Sequence, residues 1–134
     1  MHTAVNIPPL VKGGMAPWQI RRIFSHIELN IENPIRVNDL ARVVNMSSGH
    51  LSRTFKRSLG LTLHRYIMQK RVERARTLML STSDGLSLIA RTCGLCDQAH
   101  LTRAFRRMAG ETPARWRRAR WEPADAAQST GVAK

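Results

Sequence analysis

From Pro17 onward the apolar residues recur with the 3.6-residue period of a helix. Ile20, Ile23, Phe24, Ile27 and Ile31 fall at i, i+3, i+4, i+7 and i+11, one continuous stripe, and Asn33-Pro34 ends it. Val37, Leu40, Ala41 and Val44 share one side of a second, shorter helix that breaks at Asn45-Met46. Ser47 is placed to cap a third, whose buried side is Leu51, Phe55 and Leu59 and whose stop is Gly60, a left-handed cap. Thr62 caps the longest helix, about residues 63–80, with Ile67, Val72, Ala75, Leu78 and Met79 as a sparser apolar set beside the charged RVERAR.

After a turn at STSDG (81–85), the pattern starts again. Leu86, Ile89, Ala90 and Cys93 reproduce the second helix, and Gly94 supplies a turn. Asp97 caps a sixth helix with Leu101, Phe105 and Met108 inward and Gly110 as its stop. Thr112-Pro113 opens a short seventh helix through a cap and a first-turn proline, with Trp116 facing inward. No segment has the alternation of a strand. The expected fold class is all-α: seven helices forming two helix-turn-helix subdomains, residues 17–62 and 83–120, joined by a linker helix and turn over 63–82. Residues 1–16 read as a flexible N-terminal arm and 121–134 as a disordered tail.

The second half copies the first. HLSRTFKRSLGLTLHRY (50–66) and HLTRAFRRMAGETPARW (100–116) agree at eight of seventeen positions. Upstream, Ala41-Arg42 matches Ala90-Arg91 with one residue's slip in the turn. The unit duplicated is helix, short turn, helix, glycine stop, the order of a helix-turn-helix whose second member lies in the DNA major groove.

Charge points the same way. The net charge is +13, from 22 basic and 9 acidic residues. Residues 36–120 hold 18 of the basic and 5 of the acidic residues, so the whole excess lies in the segment that contains the repeat. Arginine outnumbers lysine, 18 to 4, which suits fork-shaped recognition of phosphate or guanine. At 100° per residue, Gly49, Arg53 and Lys56 face away from Leu51 and Phe55, with His50, Ser52 and Arg57 on the shoulders. Ala99, Arg103 and Arg106 repeat that map, with His100, Thr102 and Arg107 beside them. A linker helix of about 18 residues is about 27 Å long, and successive major-groove faces on one side of B-DNA lie about 34 Å apart, so one chain can span both, with a shortfall that favours DNA bent toward the protein.

The pattern LA…S..HLSR.FK…G.T…Y…R…A, followed by IA…G…..LTR.FRR..G.TP..WR, resembles the DNA-binding domain of the AraC/XylS family of bacterial transcription regulators. The resemblance covers about residues 17–118, and GLCDQAHLTRAFRRMAGETPARWR is its most specific part. It implies sequence-specific binding to double-stranded promoter DNA, with helices about 48–59 and 98–109 in adjacent major grooves. It also implies a stand-alone architecture like that of the MarA/SoxS/Rob group, binding as a monomer with RNA polymerase as a partner. The expected setting is cytoplasmic and nucleoid-associated, with no membrane partner and no cofactor.

The same resemblance assigns roles. Arg53 and Arg103 occupy outward positions that the family uses for base contacts, and Gln98 matches a third. Ser52 and Thr102 are weaker readers. Gly49 and Ala99 stand where relatives place larger groove-facing side chains; glycine reads nothing by itself, and alanine can only touch a thymine methyl. Lys56, Arg57, Arg106 and Arg107, with His50, His100 and the amides near Ser48 and Gln98, are expected to hold phosphates.

Other chemistries find less purchase. Cys93-x-x-Cys96 with His100 offers three candidate metal ligands and no fourth, and Cys93 is better read as a small buried residue. The acids are scattered, and no glycine-rich phosphate loop or catalytic constellation appears, so the chain is not read as an enzyme. The N-terminus lacks a signal-peptide pattern, and no run of apolar residues is long enough to span a bilayer. The alternative reading is a sequence-indifferent or architectural DNA-binding protein.

Overall fold

The computed structural model describes residues 12–121, in seven α-helices and, among the described residues, no strand. They are α1 (Pro17–Leu29), α2 (Val37–Val43), α3 (Ser48–Leu59), α4 (Leu63–Ser81), α5 (Leu86–Thr92), α6 (Gln98–Ala109) and α7 (Pro113–Arg120). None is long and apolar enough to cross a membrane.

Local chemistry sets most of the boundaries. Ser47, Thr62, Asp97 and Thr112 each accept a hydrogen bond from the amide three residues on, at the starts of α3, α4, α6 and α7. Gly60 and Gly110 close α3 and α6 at φ +80° and +81°, a conformation that costs any other residue strain. Proline opens α1 and α7 at a position whose amide has no helical partner.

The chain divides into two compact units, and the division falls between Met68 and Gln69, inside α4. In the first, α1 packs on α2 and α2 on α3. Ile20, Ile23, Ile27, Leu40, Leu51 and Phe55 are almost fully buried there, joined by Leu63 and Ile67 from the start of α4. In the second, α5 packs on α6 and α6 on α7. Its core holds Val72, Ala75 and Met79 from the rest of α4 with Ile89, Ala90, Leu101 and Phe105.

The structure corrects several expectations. The arm was expected to extend through residue 16. Met15 is instead buried in the first core, and its amide donates to Ser58 Oγ at 2.7 Å; of the expected tail 121–134, Trp121 is half-buried as the C-cap of α7, while residues 1–11 and 122–134 lie outside the described residues. Each unit buries part of α4: Leu63, Ile67 and Met68 in the first, Val72, Ala75 and Met79 in the second. Val37 begins α2 and is exposed, while Leu59, Leu78 and Met108 are half-buried at the margins.

Candidate nucleic-acid interface

The turn of each helix-turn-helix closes in the same way. Met46 N donates to Ala41 O at 2.8 Å in the first unit, and Leu95 N to Ala90 O at 2.9 Å in the second. A left-handed residue makes the bend: Asn45 at φ +57° and Gly94 at φ +81°. The capping residues that follow, Ser47 and Asp97, stand one position further apart than these turn residues do. The slip is therefore one extra residue, Cys96, which is exposed.

On α3, the buried side carries Leu51 and Phe55, both 0% exposed, and the opposite side presents Gly49, His50, Ser52, Arg53, Lys56 and Arg57 to solvent. On α6, Leu101 and Phe105 are buried, and Gln98, Ala99, Arg103, Arg106 and Arg107 are exposed. Thr102 and His100 are half-buried. Neither helix contains an acidic residue. Among the described residues, Arg53, Lys56, Arg103, Arg106 and Arg107 enter no ion pair. Cations that could have been neutralised by their own domain are left facing water.

Three of the expected phosphate contacts are engaged elsewhere. Ser48 is half-buried, and its hydroxyl donates to Asn38 Oδ1 of α2, which leaves its backbone amide as the group to offer. The Nδ1 of His100 accepts from Cys96 N at 3.3 Å, so this imidazole stiffens the turn around the extra residue. Arg57 Nη1 donates to Lys12 O at 3.4 Å. Asn38 and Lys12 gave no sequence signal for these contacts, because each partner lies ten or more residues away.

Other arginines make contacts within the second unit. Arg117 donates to the carbonyls of Met79, Thr82 and Asp84 at 2.9, 2.6 and 2.6 Å. Arg76 lies 5.7 Å from the Phe105 ring and 5.9 Å from Trp116, and Arg120 covers Trp116 at 4.8 Å. Arg115 and Arg120 both approach Glu111, at 3.9 and 3.6 Å. Burial pushes the Arg71 guanidinium below its ordinary value, opposed by Cys93 and Cys96. Arginine stays charged in proteins regardless. Cys93 is itself buried in the second core. Among the described residues, no three His, Cys, Asp or Glu side chains are grouped to hold a metal ion.

Two helix-turn-helix units, each carrying an acid-free, cationic second helix, define a DNA-binding domain. A family model described as a helix-turn-helix domain matches residues 40–119. The chain is similar to LumQ of Photobacterium leiognathi, described as a probable transcriptional regulator, with 32% identity over 94 residues; the match takes in 70% of this chain and 38% of LumQ. A transcriptional regulator from Chromobacterium violaceum with an AraC-type DNA-binding domain has a similar structure, with TM-score 0.72 and 32% identity over 79% of this chain and 95% of that one. The DNA-binding domain of AdpA, solved in complex with a target DNA, gives TM-score 0.69 and 25% identity over 75% of this chain and 90% of its own. The chain belongs to the AraC/XylS family of transcription regulators, through that family's DNA-binding domain.

Proposed function

We propose that this chain is a sequence-specific regulator that binds double-stranded promoter DNA with α3 and α6 in adjacent major grooves. The observation that carries the reading is the matched pair of exposed, acid-free cationic faces on those two helices. Arg53 and Arg103 read guanine, Gln98 reads adenine, and Ser52 and Thr102 add weaker discrimination. Gly49 and Ala99 leave the groove open around them. Lys56, Arg106, Arg107 and His50 hold phosphates with the first-turn amides of Ser48 and Gln98. The AdpA domain, similar over most of this chain, was solved in complex with a target DNA, which supports DNA as the partner. The single helix α4 has 19 residues, about 28 Å of rise.

In this reading the protein binds as a monomer, bends the DNA toward itself and works beside RNA polymerase, and no catalytic group takes part. In vitro selection from random DNA, followed by competition binding, tests it. A preferred site held about a thousandfold or more above random competitor at physiological salt is the expected result. Equal displacement by any competitor would replace this reading with the architectural one. Lys56→Ala or Arg106→Ala should each flatten the slope of log K against log salt by about 0.9.

A further inference from the structure

The segment just before α1 grips the last turn of α3, 43 to 45 residues away. Met15 is 1% exposed, and its amide donates to Ser58 Oγ at 2.7 Å, with Ser58 itself 9% exposed. Two residues earlier the chain turns at Gly13, φ +76°, and the side chain of the next α3 neighbour, Arg57, lies across that turn. A Cβ on Gly13 would come within 2.8 Å of Arg57 Nη1 and 3.3 Å of its Cδ. The bare glycine is what lets Arg57 Nη1 reach Lys12 O at 3.4 Å. Consecutive residues of α3 are thus tied to one short strap by two hydrogen bonds, and the strap is itself anchored by the Met15 side chain in the first core. In α6 the repeat places Arg107 and Met108 at these positions, and no described residue straps them.

We propose that residues Lys12–Met15 set the pose of α3 for DNA reading, with Met15, Ser58 and Arg57 as positioning residues. This rests on α3 being one of two DNA-reading helices. A reading helix must hold its side chains to within about 0.5 Å of the productive geometry, and α3 is fixed at its far end by this strap. Arg57 gives one guanidinium hydrogen to Lys12 O and keeps its other donors for the DNA backbone, so it ties the strap to α3 as well.

The full chain with Ser58→Ala, Gly13→Ala and Ser58→Thr tests this on three probes: the selected site, that site with the α3 half scrambled, and that site with the α6 half scrambled. Ser58→Ala and Gly13→Ala should each bind the intact site about 5- to 10-fold more weakly. They should match the parent on the probe lacking the α3 half, and Ser58→Thr should restore binding. Amide hydrogen exchange, read without DNA, should quicken in α3 and stay unchanged in α6. Equal losses on all probes, no loss on the intact site, or unchanged exchange in α3 would overturn the proposal. If scrambling either half leaves the parent unaffected, the two-helix reading fails, while the exchange data still decide the strap.

Discussion

The two units are built on one plan and closed by different chemistry. In the first, Ile20, Ile23 and Ile27 of α1 are buried at i, i+3 and i+7, and Phe24 stacks on Tyr66 with centroids 4.7 Å apart and planes at 7°. Tyr66 in turn meets Phe55 edge-on, at 5.7 Å and 68°. The second unit buries Val72, Ala75 and Met79 of α4 at the same spacing, and Trp116 meets Phe105 edge-on at 5.5 Å and 69°. Where Phe24 stands in the first unit, Arg76 stands in the second. One residue past the aromatic, buried Ile67 has its counterpart in Arg117. The first core is sealed by apolar surface; the second is sealed at two of the same places by arginine. A duplicated scaffold therefore fixes packing positions without fixing the chemistry that fills them.

The comparison is broken most severely by emptying either core. Phe55 and Phe105 occupy equivalent sites and are both fully buried, so Phe55→Ala and Phe105→Ala should each cost about 3–5 kcal/mol. Hydrogen exchange should show the first change lowering protection in α1–α3 more than in α5–α7, and the second the reverse. Uniform loss across both units would mean that they unfold as one.

Arg117→Met is the next largest. It removes a charged donor from three carbonyls, one of which, that of Met79, lies in the last turn of α4 and lacks a helical partner. Hydrogen bonds from charged groups contribute more than neutral ones, and the expected loss is about 3 kcal/mol, less where water reaches the freed carbonyls. Urea unfolding followed by Trp fluorescence measures it. A loss below about 1 kcal/mol would show the three bonds to be geometric only.

Arg53→Ala and Arg103→Ala probe the outward faces. Each should weaken binding to the selected site by about 2 kcal/mol, relax preference at one base pair, and leave thermal unfolding unchanged. Binding arrays carrying all four bases at each position give the readout. A uniform loss at every position would reassign that arginine to phosphate.

Much of this was legible because it is local. The caps at Ser47, Thr62, Asp97 and Thr112, the glycine stops and the stripes of α3 and α6 depend on residues within one or two turns. Met15 was not legible: an apolar residue between a Gly pair and a proline looks like arm, and its place in the first core and the bond from its amide to a residue 43 positions away are tertiary. Thr54 and Ser58 escaped as polar residues, yet Thr54 satisfies its hydroxyl on His50 O at 2.8 Å and Ser58 on the strap. The sparse pattern of α4 has a physical cause, since Leu63 and Ile67 serve one core and Val72, Ala75 and Met79 another. A single-stripe template cannot describe such a helix. Charge misled in one respect: the basic excess counts Arg76 and Arg117 with Arg53 and Arg103, although the first pair faces inward. Residue type alone does not separate them.

The smallest effect bears most directly on the difference between the units. Arg76 Nε is buried with no hydrogen-bond partner among the described residues, a defect that costs about 1–3 kcal/mol. Its guanidinium recovers part of this over the Phe105 and Trp116 rings, with cation–π contacts adding about 0.5–2 kcal/mol. Arg76→Met keeps an unbranched stem and a soft contact with the rings while deleting the orphaned donor. The two contributions nearly cancel, so stability should rise, by less than about 1 kcal/mol. Phe24→Ala, at the matching site, has no such compensation and should lose well over that. A clear destabilisation by Arg76→Met would mean that the second unit is held by the attraction between arginine and its rings, and that the arginine is a structural requirement there rather than a tolerated replacement for an aromatic side chain.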